Sequence, residues 1–215
     1  MTAYCLVLAL LIGQVPEVVV RPYEDGHFIY YTITSQMAGG WAMTGFKSKV
    51  HPEYGIRWLT AAHYFPLSLK PTVMPMGING KTEYVNEIAQ LGSDLCVFRL
   101  GPDSTLKVKG FSVRGPKDTW NSEMNISLFD QPDEAIYLVD RQRYAVIGSI
   151  TVYDPLGEVE GFLVDKSSSP GDCGTAFLYE GKLCIITKGI PAGLPVPNGP
   201  TLGDITVVVR LDLAP

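Results

Sequence analysis

The sequence predicts an all-β chain folded as two strand-built units, barrels or sandwiches. Short runs rich in β-branched and aromatic residues recur along its length, each bounded by Gly, Pro, Asn or Asp. The sustained 3.6-residue periodicity of amphipathic helices is missing. The runs also fall into two groups separated by a polar connector, the pattern of two strand-built units rather than one.

The first group begins at 18–21, a cluster of valines ending on Arg21. It continues through 27–34 after Gly26, 41–46 after Gly39 and Gly40, 56–61 after Gly55, 83–89 after Asn79 and Gly80, and 95–100 after Asp94. Patterning then weakens over 101–123, where GPDS, RGPKD and WNSE read as turns. The second group holds runs at 125–129, 135–139, 143–153, 159–164, 175–179, 182–188 and 205–211. These readings divide the chain into an apolar segment at 1–15, a first barrel at 16–105, a connector at 106–124 and a second barrel at 125–215.

Composition narrows the function. Of 215 residues, 46% are hydrophobic and only 18% are charged, so a substantial core is expected. The 22 glycines and 16 prolines are scattered, as turns between short strands require. A formal net charge of −5 argues against a dedicated nucleic-acid binder. The four cysteines form no C-x-x-C or Cys/His cluster of a zinc site. Cys96 and Cys184 sit inside apolar runs, where a thiol acts as a small buried hydrophobe, and free thiols suit a reducing compartment. The apolar segment 3–13 is too short to span a bilayer and lacks the flanks of a secretory signal. It reads first as a buried element, and second as the stump of an upstream membrane tether.

Three motifs carry chemistry. Of the three histidines, His27 lies beside a glycine and His51 precedes a proline, both structural or solvated positions. His63 instead closes the run Ile-Arg-Trp-Leu-Thr-Ala-Ala-His, where small residues let a tight turn aim the imidazole into a cleft. Asp94 opens a strand of mainly apolar residues. A carboxylate there needs a partner, because an unpaired buried charge is costly, and a neutral imidazole donating Nδ1–H supplies one. The most specific signal is Ser-Ser-Ser-Pro-Gly-Asp-Cys-Gly-Thr-Ala-Phe at 167–177. Gly171 and Gly174 permit a sharp turn that gathers backbone amides on one side, with Cys173 at its tip. Amide dipoles and a nearby imidazole favour the thiolate.

Thr60-Ala61-Ala62-His63, Asp94-Leu95 and Gly171-Asp172-Cys173-Gly174 together resemble the three motifs of the chymotrypsin-fold proteases, in the same order along the chain. With cysteine as nucleophile, the resemblance is to the picornain-like main proteases of positive-strand RNA viruses. The aspartate is nearer to the sobemo-like enzymes. It implies two six-stranded antiparallel barrels with the active site in the cleft between them, and a thiol protease cleaving a viral polyprotein through an acyl-enzyme. By this resemblance His63 is general base and acid, Asp94 orients it and Cys173 attacks the scissile carbonyl. The amides of Gly171, Asp172 and Cys173 hold the oxyanion. No metal or organic cofactor is needed.

The same resemblance places the primary specificity pocket along Ile186, Thr187, Lys188 and Gly189, with Ser167 and Ser168 on the facing wall. No histidine follows position 63, so the Gly-x-His element of glutamine-selecting relatives is absent. Strand alternation would put Ile186 and Lys188 on one face and Thr187 on the other. An apolar or small P1 residue is expected, with glutamate the alternative if Lys188 points inward. The implied partner is a polypeptide, viral or host, and the implied location is the host cytoplasm, with or without a membrane tether. Two rival functions share the fold: a retired module that binds peptide without cutting it, and RNA binding through Lys107, Lys109, Arg114 and Lys117 of the connector. A solvated connector is preferred over the RNA reading.

Overall fold

A computed structural model of the chain describes residues 17–35, 42–61, 75–78, 81–91, 95–100, 108–109, 123–154, 157–190, 194–196 and 201–213. The architecture is all-β. The first half contains β1 (Glu17–Asp25), β2 (Phe28–Ser35), β3 (Ala42–Ser48), β4 (Arg57–Ala61), β5 (Pro75–Ile78), β6 (Lys81–Leu91) and β7 (Leu95–Leu100). Strands β1 to β4 form a four-stranded antiparallel meander, and β7, β6 and β5 follow in that order beyond β4. Among the described residues no pairing joins β5 back to β1, so this sheet is open. Of the two expected barrels, one is closed among the described residues, and the strands of the other half are described as an open antiparallel sheet.

The second half contains β8 (Val108–Lys109), β9 (Glu123–Tyr137), β10 (Arg143–Asp154), β11 (Gly157–Val164), β12 (Ala176–Tyr179), β13 (Lys182–Ile190) and β16 (Ile205–Leu213). The small pair β14 (Leu194–Pro195) and β15 (Thr201–Leu202) lies between β13 and β16 in sequence. The order β11-β10-β9-β12-β13-β16 is closed by pairing of β11 with β16, giving a six-stranded antiparallel barrel. Strand β8 falls inside the predicted connector and pairs with the end of β16, Lys109 opposite Asp212. That part of the connector is therefore strand. Lys107, Arg114 and Lys117 lie outside the described residues, as does the apolar segment 1–15. No helix among the described residues is long and apolar enough to cross a membrane.

Local chemistry explains the barrel strands. Strands β12 and β13 are joined by Glu180 and Gly181, both at positive φ (50° and 68°), the two-residue hairpin turn whose twist matches its strands. The runs at 125–129 and 135–139 form one strand, β9. Its pairing with β10 jumps from Leu128 opposite Gly148 to Asp133 opposite Val146. The intervening residues include Pro132, which has no amide to give the ladder, and such a bulge bends a strand as a barrel requires.

The apolar run of β13 is buried on both faces. Phe177, Tyr179, Cys184, Ile186 and Val208 belong to a cluster that draws on all six barrel strands. Their neighbours Leu178, Leu183, Ile185 and Val209 pack instead with Tyr30, Phe46 and Leu59 of the open sheet. Period-two alternation thus fills the barrel with one set and joins barrel to sheet with the other. Each such side chain contributes roughly 1.5–3 kcal/mol by leaving water. At the edge of this joint the Arg141 guanidinium donates to the Arg21 and Pro22 carbonyls, at 3.0 and 3.1 Å.

Candidate active site

Cys173 lies in the loop between β11 and β12, partly buried against the barrel cluster. The loop is shaped by its own hydrogen bonds. The Ser169 amide donates to the Asp172 carboxylate at 2.8 Å, and the Asp172 amide donates back to the Ser169 carbonyl at 3.0 Å. This reciprocal turn gives Asp172 a structural task that the sequence motif alone does not reveal. Gly171 and Gly174 adopt φ of 102° and 95°, a region that favours glycine. The Gly174 amide donates to the Ile186 carbonyl at 2.8 Å, which fastens the loop to β13. The thiol of Cys173 points at the Thr187 carbonyl, 3.6 Å away.

These bonds sort the candidate oxyanion donors. The amides of Asp172 and Gly174 are committed within the loop and to β13. Neither the Gly171 nor the Cys173 amide donates to another described residue. Of the three expected donors, the Asp172 amide is the one already bonded, to the Ser169 carbonyl.

Gly174 is also where the loop meets the open sheet. Its carbonyl accepts a buried hydrogen bond from Thr44 Oγ1 at 2.9 Å. A Cβ at this position would collide with the Ala42 carbonyl and the Thr60 hydroxyl, and Thr60 itself donates to Ala42. The residue after Cys173 is thus seated on the C-terminal end of β4. In the sheet, Ala61 of β4 pairs with Leu95 of β7, and Thr60 with Cys96. His63 and Asp94 lie outside the described residues. Ala61 is two residues before His63, a reach of at most about 7 Å of extended chain, and Leu95 directly follows Asp94.

The predicted pocket residues are distributed unequally. Ser167 is exposed and Ser168 half-buried; the Ser167 carbonyl accepts a hydrogen bond from the Lys166 ammonium at 2.8 Å. Ile186 is fully buried within the barrel cluster. Thr187 is 2% exposed, and its hydroxyl finds no partner among the described residues. The register of β13 against β16 shifts between Ile186 and Lys188: Ile186 faces Val208 and Lys188 faces Val207. The expected alternation from Ile186 to Lys188 is therefore broken by a bulge at Thr187. Of Lys188 and Gly189 the backbone alone is described, in β13.

His27 is exposed in the turn between β1 and β2, and its carbonyl accepts from the Lys49 amide at 2.8 Å. His51 stacks on Tyr54 with ring centroids 5.0 Å apart, and its Nδ1 lies 3.1 Å from Glu53 Oε1. Cys184 is completely buried, and that burial pushes its thiol up to about 12. Cys5 lies outside the described residues, and of Cys96 only the backbone is described. No family model, characterised protein or solved structure matches the chain.

Two outcomes follow from this geometry. Iodoacetamide at neutral pH should alkylate Cys173 in the native protein and leave Cys184 unlabelled until the barrel unfolds, as read by peptide mapping. Equal labelling of the two would remove the distinction. Gly174→Ala should lower stability by more than about 2 kcal/mol in a denaturant titration, combining backbone strain with overpacking against Ala42 and Thr60. A wild-type midpoint would show that the loop can leave the sheet at little cost.

Proposed function

We propose that the chain is a cysteine endopeptidase of the chymotrypsin type, with two barrels flanking the cleft and a Cys173–His63–Asp94 triad. The observation that carries the reading is the seat of Gly174 on Ala42 and Thr60. It brings the nucleophile loop against the same end of the β4–β7 pair from which the His63 and Asp94 motifs depart. The reading is supported by that shared strand end and by the order of the three motifs along the chain, which matches the resemblance.

In this reading His63 takes the thiol proton as Cys173 Sγ attacks the scissile carbonyl carbon. The carbonyl π pair moves to oxygen, where the Gly171 and Cys173 amides receive it. The tetrahedral adduct collapses as His63 returns the proton to the departing amine, leaving a thioester. Water, deprotonated by His63, then attacks the thioester and releases the new carboxylate and the free thiol. Asp94 holds the imidazole tautomer and stabilises its charged form. The substrate class is a polypeptide, and the motif resemblance makes it a viral polyprotein processed in the host cytoplasm.

Replacement of His63 by Ala should reduce kcat at least about a hundredfold, the usual scale for a general acid–base group, while circular dichroism and melting temperature stay at wild-type values. A folded, fully active variant would take His63 out of the mechanism. Binding of peptide by the wild-type chain without any cleavage would favour a retired module instead.

The primary pocket is read as selecting an apolar or small P1 residue. No histidine follows Cys173, and Ile186 and Thr187 are the buried residues of β13 beside the nucleophile loop. Desolvating a charged side chain against such a wall without a partner costs several kcal/mol. A peptide library screened with wild-type enzyme and with Lys188→Ala should show the same apolar or small preference in both. Strong selection for glutamate, lost in Lys188→Ala, would overturn it.

A further inference from the structure

The loop carrying Cys173 is tied from behind by two hydroxyl groups in series. Tyr137 Oη lies 3.0 Å from Thr175 Oγ1. Thr175 Oγ1 in turn donates to the Asp172 carbonyl at 2.7 Å. A hydroxyl has one proton, so Thr175, having given its own to Asp172, accepts the proton of Tyr137. The Thr175 amide donates to the same Asp172 carbonyl at 3.0 Å. Both acceptor positions of that oxygen are thereby filled from one side.

The Asp172 carbonyl and the Cys173 amide are opposite ends of a single planar trans peptide. Fixing the direction of the carbonyl fixes the direction of the N–H. That N–H is one of the two loop amides that donate to no described residue, and its aim depends on what grips Asp172 from the far side. The grip is rigid at its root. Thr175 is fully buried and Tyr137 is 5% exposed. The Tyr137 ring stacks on Phe177 at 4.7 Å, meets Tyr144 edge-on at 6.1 Å, and lies under the Lys166 ammonium at 4.6 Å. Burial pushes the Tyr137 hydroxyl well above its ordinary range, so it remains a proton donor throughout the neutral region.

We propose that Tyr137 is a positioning residue for the oxyanion hole, holding the 172–173 peptide through Thr175 so that the Cys173 amide faces the scissile carbonyl. The assignment rests on the proteolytic reading above. The Tyr137 hydroxyl bonds to Thr175 while the Cys173 thiol faces the Thr187 carbonyl, so Tyr137 acts on the direction of one N–H rather than on the thiol. Without its hydroxyl, Thr175 keeps a buried lone pair with no donor and is free to rotate away from Asp172. The peptide can then turn over, which would put a carbonyl oxygen where the developing oxyanion needs a donor.

The test is Tyr137→Phe, which keeps the ring stack and deletes only the hydroxyl. Three readings separate the oxyanion hole from the thiolate. The first is kcat and KM on a fluorogenic peptide carrying the P1 residue preferred in the library. The second is inhibition by the matching peptide aldehyde, which forms a Sγ–C bond while its carbonyl π pair moves to an oxygen in the oxyanion site. The third is the rate of Cys173 alkylation by iodoacetamide, which needs the thiolate and no oxyanion donor. We expect kcat to fall about tenfold or more, on the scale of impaired oxyanion donors, with KM within about twofold of wild type. Aldehyde affinity should fall in step with kcat/KM, and the alkylation rate should be unchanged. Thr175→Val should reproduce the effect, Thr175→Ser should restore it, and the Tyr137→Phe/Thr175→Val double variant should be no worse than Thr175→Val alone. Wild-type kcat and aldehyde affinity in Tyr137→Phe would overturn the assignment. So would a fall in kcat that is matched by a slower alkylation and a lower melting temperature. A wild-type chain that neither cleaves peptides nor captures the aldehyde would overturn the proteolytic reading, and this assignment with it.

Discussion

The contact on which the rest of the structure depends is the approach of Gly174 to the open sheet. Thr44 and Gly174, 130 residues apart, share a buried hydrogen bond, and Gly174 lies so close to Ala42 and Thr60 that any side chain would enter their atoms. The apolar joint of Tyr30, Phe46 and Leu59 with Leu178, Ile185 and Val209 holds sheet and barrel together by excluding water. Adhesion of that kind has no direction. The short polar contact at Gly174 provides the direction, because a hydrogen bond and a close backbone approach tolerate only one alignment. Position within the joint is therefore set at the residue that follows Cys173.

Within the loop, each motif residue has a separate physical task. Asp172 builds the turn with its carboxylate and receives Thr175 with its carbonyl. Gly171 and Gly174 supply backbone angles that residues with a Cβ rarely adopt. Cys173 faces the Thr187 carbonyl with its thiol. The contrast with Cys184 is instructive. Both are free thiols of the same barrel, yet Cys184 sits wholly inside the apolar cluster and behaves as a hydrophobe, whereas Cys173 packs at its margin.

Much of this was legible from the residues alone. Runs of β-branched and aromatic residues marked every long strand, because pleated surfaces select those shapes. The Gly-Asp-Cys-Gly turn was legible because its glycines and its cysteine are improbable neighbours in a plain core. What stayed hidden has physical causes. Strand β5, Pro-Met-Gly-Ile, has almost no β-branched signal, and β8 is two residues paired at the rim of the barrel. Two runs merged into β9 because a bulge around Pro132 interrupts its pairing without ending it. Closure of a sheet is a long-range property, so nothing local distinguished a barrel from an open sheet. The bulge at Thr187 was equally silent, since an extra residue in a strand leaves its composition unchanged. Tyr137 carries no local signal that sets it apart from the other aromatics, since its partner Thr175 lies 38 residues away.

Barrel closure has a consequence in time. Strand β16 is the last long strand of the chain, and it pairs on one side with β11 and on the other with β13. Until it is in place, both of those strands present unpaired edges, and the cluster around Ile186 and Val208 is incomplete. During synthesis the chain emerges from the ribosome N-terminus first, at about 5–20 residues per second. The loop of Cys173 is thus exposed seconds before the strand that completes its support, and its geometry matures only when residues 205–213 have left the exit tunnel and docked.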